Sequence, residues 1–378
     1  MVSLISRASN VIYRHGVKPI LFRFKPDAVH NALLKQGSLL QKSSLIRHAL
    51  RVSWAYQNTP KLRQTVFGIQ FNNPVGLSAG FDKNFELVPI IKSIGFGFME
   101  GGSLTLHDCA GNPRPWFYRL PKTKSLVVNA GLANHGVKAI IERLKNYTAA
   151  NFKDFPLNIS IAKTNSQKTS TDTEAIADYV GSLTLLQKAK LGDMYTLNIS
   201  CPNTYGGEPF TTPARLDALL KATDKLNLKQ PLIIKMPVHM PWSELDGLLN
   251  VATKHSVQGV TVSNLAKDRS KANLKDPLPD AVKGNLSGAP SRELSNELIK
   301  QTYRKYGERF VIIGVGGVFS AEDAYAKIKL GATLVELITG MIFEGPQLVG
   351  QINKGLVRLL ERDGYKNIRE AIGVDSIH

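Results

Sequence analysis

"LIIKMPVHMPWSELDGLLNVATKHSVQGVTVSN", residues 232–264, contains the unit from which the fold is read. "LIIKMP" (232–237) is a short apolar run of strand length. "WSELDGLLNVATKH" (242–255) places its apolar residues at helical intervals, and "GVTVSN" (259–264) is a second strand-like run. Strand, helix and strand at this spacing describe a crossover unit that covers one face of a sheet. The same alternation runs outward in both directions from about residue 65. Further strand candidates are "VGLSA" (75–79), "FMEGGS" (98–103), "LNISIA" (157–162), "YTLNIS" (195–200), "FVIIGV" (310–315) and "TLVELI" (333–338). Helix-length segments such as "ADYVGSLTLLQKAK" and "SRELSNELIKQTYRKY" lie between them. Eight such units in one chain argue for an α/β fold of the (β/α)8 TIM-barrel type rather than a doubly wound open sheet. Ahead of the first strand, "TVFGIQFNNPVGL" (65–77) reads as a hairpin with Asn72 and Asn73 near its turn.

A barrel gathers its chemistry where the strands end, and the polar residues follow that rule. Ser78, Gly80 and Lys83 follow the first strand; Gly102 and Ser103 end the second; Asn198, Cys201 and Asn203 end the fourth; Ser263 and Asn264 close the sixth. Lys235 lies inside the fifth strand between Ile234 and Met236, where a buried ammonium requires an anionic or strongly accepting partner. "LSGAP" (286–290), "IGVGGV" (313–318) and "LITGMIFEGP" (337–346) put glycines after the last strands. Barrels commonly hold a phosphate there on backbone N–H groups. Two cysteines, Cys109 and Cys201, supply neither a disulfide framework nor a zinc-type cluster, so no metal is expected and a reducing compartment is the default.

The chain of 378 residues carries a formal charge of +18, and the charge is not evenly spread. Residues 1–63 contain eleven Lys or Arg against one acid, Asp27. In "SLISRASNVIYRHG" (3–16) the residues Leu4, Ile5, Ala8, Val11 and Ile12 recur at helical spacing; "KPDAVHNALLKQGSLL" (25–40) starts a helix at Pro26 and Asp27; "SSLIRHALRVSWAYQ" (43–57) supplies a third helix. Short basic amphipathic helices of this kind suit an anionic membrane surface. An organellar leader and a plain helical cap on the barrel are the alternatives. No stretch approaches the length of a membrane span, and no apolar run with a small-residue cleavage site reads as a secretory signal, so neither is expected. The division expected is 1–63, a basic helical segment that lies on a membrane surface, and 64–378, a catalytic barrel.

Taken in order, "NNPVGLSAGFDKN", "GFGFMEGGSLT", "NPRPWFYRL", "NISCPNTYGG", "IIKMP", "GVTVSN", "NLSGAP", "IIGVGGV" and "LITGMIFEGP" resemble the dihydroorotate dehydrogenase family over roughly residues 20–350. The resemblance implies FMN across the barrel mouth, held by Ala79, Gly80, Ser103, Ser160, Asn198, Lys235, Ser263, Gly288, Gly317, Thr339 and Gly340. Ser160 stands where the family has an asparagine. It also implies dihydroorotate and orotate bound by Lys83, Asn129, Asn198, Asn203 and Asn264, with Cys201 as the catalytic base. A planar anionic pyrimidine needs a cation for its carboxylate and amides that donate and accept, which fits this set.

The basic N-terminal helices, with "KPDAVH" opening one of them, resemble the membrane-associated, quinone-reducing branch. A cysteine base resembles the soluble branch, which uses fumarate, or NAD through a partner subunit. "VNAGLAN" (128–134) is one residue shorter than the matching substrate loop, and Leu265 replaces a hydroxyl residue after Asn264. The reading favoured is oxidation of dihydroorotate in pyrimidine biosynthesis with a membrane quinone as acceptor, at the cytoplasmic face of a cell membrane or at a mitochondrial inner membrane. A soluble cysteine-type enzyme is the alternative within the class, and a non-catalytic basic barrel that binds membrane or nucleic acid is the alternative outside it. No nucleic-acid partner is expected, and the oligomeric state is not legible.

Overall fold

The computed structural model describes residues 2–56, 60–205, 207–270 and 272–377. All eight strand candidates form strands: β1 Val75–Leu77, β2 Phe98–Leu104, β3 Leu157–Ile161, β4 Met194–Asn198, β5 Leu232–Met236, β6 Gly259–Val262, β7 Val311–Val315 and β8 Leu334–Leu337. They pair in parallel, each with its chain neighbours, and β8 pairs with β1 to close the barrel. The strands are buried on both faces, which is why they read as continuous apolar runs instead of alternating ones. The crossover helix of the opening unit is Trp242–Ala252, whose Leu245, Leu248 and Leu249 face the core.

The hairpin ahead of the barrel differs from expectation in its turn. Its strands are Gln64–Val66 and Ile69–Phe71, and the turn residues are Phe67 and Gly68, at φ +56° and +76°. Two successive positive φ angles are what a tight hairpin turn demands. Asn72 and Asn73 instead lead into β1, with Asn73 Oδ1 accepting from the Val75 N–H at 3.0 Å. Val66 and Phe71 pack with Phe98, Met194, Ile233, Ile313 and Leu334, so the hairpin plugs the end of the barrel where the strands begin. A three-stranded antiparallel sheet, Phe117–Leu120, Ser125–Val128 and Asn285–Leu286, is carried by the loops at the opposite end.

Ahead of the hairpin, α1 Val2–Ile12 continues through a π-turn at Tyr13–Val17 into the short helix Lys18–Leu21, and α2 Pro26–Leu40 and α3 Ser44–Trp54 follow. Asp27, in the first turn of α2, accepts from Arg114 Nη1 at 2.9 Å, from the Trp116 N–H at 3.1 Å and from the Phe117 N–H at 3.3 Å. The single acid of the segment therefore fastens α2 to the sheet at the barrel mouth. Tyr13 Oη and Lys18 Nζ donate to the carbonyls of Ile342 and Phe343, and Trp54 Nε1 donates to Ser9 Oγ. The side chain of Leu4 lies outside the described residues, but Ile5, Val11, Ile12, Val17, Ile20, Phe24, Leu33, Leu39, Leu40, Leu45 and Val52 are all exposed. Beyond residue 63, Tyr205, Leu294 and Ile377 are the large hydrophobic residues exposed among those described. Among the described residues no helix is long and apolar enough to cross a membrane.

Candidate active site

The C-terminal ends of the strands converge on a cavity of about 210 Å3 lined by Ala79, Gly80, Lys83, Ser103, Asn198, Cys201, Asn203, Lys235, Asn264 and Thr339. Its wall continues to Pro26, Val29, His30 and Leu33 of α2, Phe117 and Arg119 of the small sheet, and Ile338 and Ile342. A smaller cavity of about 100 Å3 adjoins it, lined by Ser78, Ala79, Lys235, Ser263, Gly288, Gly317, Glu336, Thr339 and Gly340. Most residues singled out from the sequence thus meet at one place. Two stand apart from the lining. Ser160 is fully buried behind Ser103, with 2.7 Å between the two hydroxyls. Asn129 has its amide oxygen engaged by Asn112 Nδ2 at 2.9 Å, while its neighbours Val128 and Ala130 line the wall.

The amides of Asn198 and Asn264 are linked, and that of Asn203 is held separately. Asn198 Nδ2 donates to Ser103 Oγ at 2.8 Å, Asn264 Nδ2 donates to Ser200 O at 2.9 Å and to Asn198 Oδ1 at 3.3 Å, and Asn203 Nδ2 donates to Val128 O at 2.9 Å. Side chains held this way keep their orientation before any ligand arrives. Lys83 makes no ion pair among the described residues; its Nζ sits over the rings of Phe117 and Trp116, at 5.4 and 5.8 Å from their centroids. Burial lowers its ammonium to about 8, with Arg114 pushing the same way and Asp82 against it.

Cys201 is a free thiol three residues beyond β4. Burial raises it to about 11; Glu208 acts in the same direction, whereas the Asn203 N–H and Lys163 favour the thiolate. The thiol is therefore harder to ionise than the ordinary cysteine value of about 8.5 suggests. Its loop is clamped on both sides: Lys163 Nζ donates to Tyr205 O at 2.9 Å, the Tyr205 N–H donates to Asn165 Oδ1 at 2.6 Å, and Glu208 pairs with Lys267 at 2.7 Å.

The partner that Lys235 requires is Glu100 of β2, whose Oε2 lies 3.2 Å from Nζ, and Ser78 Oγ accepts at the same distance. Burial pulls the ammonium down, but the Glu100 and Glu336 carboxylates outweigh it and the net shift is upward. Sequence reasoning missed Glu100 and Glu336. The signal was present, since each is a charge inside a strand that otherwise reads as core, the same observation that singled out Lys235. His30 and Arg119 were also missed, because only the folded chain brings α2 beside the small sheet.

Fold and site together define a (β/α)8-barrel enzyme with its chemistry at the strand ends, and comparison with known proteins narrows the class. The sequence pattern of Dihydroorotate dehydrogenase matches residues 61–360, and the chain belongs to that family. A dihydroorotate dehydrogenase (quinone) from Nostoc punctiforme is 34% identical over 96% of this chain and 98% of its own length, and one from a Cyanothece strain is 34% identical over 93% and 96%. Among solved structures, the dihydroorotate dehydrogenase of Eimeria tenella in complex with ferulenol superposes with a TM-score of 0.80 at 25% identity, covering 93% of this chain and 95% of that one.

Proposed function

We propose that this chain oxidises dihydroorotate to orotate through bound FMN and passes the electrons to a membrane quinone. The observation that carries the reading is the single cavity that runs from Val29 and Leu33 of α2 to Cys201, Asn198 and Lys235. An apolar acceptor arriving along the N-terminal helices would reach the same chamber as the substrate, without a passage through water.

The residues present suit FMN. Ser263 Oγ is buried with no hydrogen-bond partner and borders the smaller cavity. The helix Thr339–Glu344 begins at that cavity, so its first N–H groups have no intrahelical acceptor. Gly288, at φ +77°, lets the backbone pass where a Cβ would come 2.4 Å from Lys124 O. An unpaired hydroxyl, free N–H groups and the Lys235 ammonium are the donors that a phosphate and a hydroxyl-rich chain accept from. Ala79, Gly80, Ser103, Asn198, Lys235, Ser263, Gly288, Gly317, Thr339 and Gly340 would hold the cofactor, with Ser160 behind Ser103. When bound, FMN accepts two electrons and the hydrogen that leaves C6 of dihydroorotate.

The protein's own groups do the rest. Lys83 would bind the substrate carboxylate; Asn198, Asn203 and Asn264 would fix the ring amides, with Asn129 supporting the wall through Asn112. Cys201 Sγ would take the proton from C5. Lys235 would face negative charge on the cofactor, a task suited to a group already held in place. Residues 1–63 would form the membrane and quinone-access segment and 64–378 the catalytic barrel. The basic residues and the eleven exposed large hydrophobics of the first segment support attachment to an anionic lipid surface. The chain would then be a peripheral membrane protein, at the cytoplasmic face of a cell membrane or at a mitochondrial inner membrane.

An acceptor panel tests the reading. With dihydroorotate as donor, ubiquinone or menaquinone analogues should sustain turnover, while fumarate and NAD should not. Turnover with fumarate alone would assign the enzyme to the soluble cysteine type. A purified protein without flavin absorbance would point to a silent barrel.

A further inference from the structure

Inside the barrel, Lys235 and Glu336 line the floor of the smaller cavity, and Glu100 pairs with Lys235 from below. Glu100 from β2 and Glu336 from β8 are 1% and 0% exposed, and Lys235 from β5 is 4% exposed. Lys235 Nζ donates to Glu100 Oε2 and to Ser78 Oγ, both at 3.2 Å. Glu100 Oε1 and both carboxyl oxygens of Glu336 are buried without a hydrogen-bond partner. Three buried acceptors without a donor are an unstable arrangement, because each unpaired buried oxygen carries its full desolvation cost. Two carboxylates have no donor between them, so neither can bond the other until one carries a proton. One proton between Glu100 and Glu336 satisfies both sides, and it also removes the repulsion of two like charges opposite a single ammonium.

We propose that Glu100 and Glu336 hold one proton between them, so that the floor beneath the cofactor cavity is neutral and Lys235 keeps its charge for the cofactor. Burial first, and Glu100 second, hold the Glu336 carboxyl well above the usual carboxylate range. The charged and titratable groups acting on Lys235 and Glu336 are each other, Glu100 and, more weakly on Lys235, Cys201. Glu336 is a charge-holding residue; it takes no part in the bonds that change. If both glutamates were ionised, the floor would carry one net negative charge directly below the place where reduction adds another.

The link to the cofactor rests on the FMN reading above, whereas the proton itself can be tested without it. In the native protein the shared proton is retained above 4.5, the ordinary glutamate value, while the unfolded chain releases it. The folded state then binds one more proton than the unfolded state, so wild-type stability falls as pH rises. Glu336→Gln and Glu100→Gln each leave one carboxylate for Lys235 and no proton to share. For both variants the folding equilibrium constant, relative to wild type, should rise about tenfold per pH unit above that value. Chemical unfolding of the holoenzyme between pH 5 and pH 8 reads this as a slope (about one proton). A flat ratio for Glu336→Gln overturns the proposal. A slope in Glu336→Gln but not in Glu100→Gln shows the proton to be Glu336's alone and overturns the sharing. The second readout is the midpoint potential of bound FMN, which should match wild type in Glu336→Gln because a neutral acid is replaced by a neutral amide. A shift to more positive potential would mean that an ionised glutamate had been removed. Failure to bind FMN would refute the functional reading and leave the unfolding slopes to decide the proton.

Discussion

Lys235 Nζ lies 3.2 Å from Glu100 Oε2 inside the barrel, so the lysine that borders the cavity at the strand ends is already paired from below. Lys83 is the opposite case, a half-buried ammonium with aromatic rings for neighbours and no carboxylate within ion-pair distance among the described residues. The two lysines should therefore fail differently when removed.

Lys83→Ala should weaken orotate binding by about 1.5–3 kcal/mol, roughly ten- to a hundredfold, while FMN is retained. Lys83 is charged below about 8 and neutral above it, so orotate affinity in the wild type should fall as pH rises through that value. Titration of the flavin spectrum with orotate measures both effects. Unchanged affinity in the variant would remove Lys83 from the site.

Cys201→Ala should lose flavin reduction by dihydroorotate and keep bound FMN. Because burial raises the thiol to about 11, the thiolate fraction of the free wild-type enzyme grows with pH through the neutral range. The growth is about tenfold per unit. A pH profile of kcat/KM that climbs up to about pH 8 and levels above it, where Lys83 loses its charge, agrees with this, and a plateau already reached below pH 7 would mean that substrate contact or another base governs the proton.

Asp27→Ala should release α2 from the small sheet. It removes the acceptor of one guanidinium donor and two backbone N–H groups, a loss of about 1–3 kcal/mol. Thermal unfolding should show the destabilisation, and quinone reduction should drop more than flavin reduction, since Cys201 and both lysines lie on barrel loops and strands.

The barrel was legible because parallel strands buried on both faces leave uninterrupted apolar runs, and all eight can be read directly. The hairpin turn was misplaced for a local reason: Asn-Asn resembles a turn, but Phe67 at φ +56° is a conformation that a phenylalanine seldom announces. The site was legible where polar residues end strands. It was not legible where contacts join distant elements, as with His30 and Arg119, or where burial alone sets the chemistry, as with the raised Cys201 thiol.

Vesicle flotation tests the N-terminal segment. The intact protein should bind anionic vesicles, and binding should weaken with salt because screening shortens the reach of the basic residues to about 10 Å at 0.1 M. The exposed apolar side chains should leave a residue of binding at high salt. Equal binding to neutral vesicles would show that charge contributes nothing.

The most direct test of the central claim, one chamber serving both the membrane helices and Cys201, is stopped-flow measurement of the two half-reactions in Val29→Trp, which narrows the α2 side of the cavity. The account predicts flavin reduction by dihydroorotate at the wild-type rate and reoxidation by a long-tailed quinone slowed by about tenfold or more, equivalent to at least ~1.4 kcal/mol of barrier. Reoxidation at the wild-type rate would contradict it, because the quinone would then reach the flavin by a route that does not pass α2.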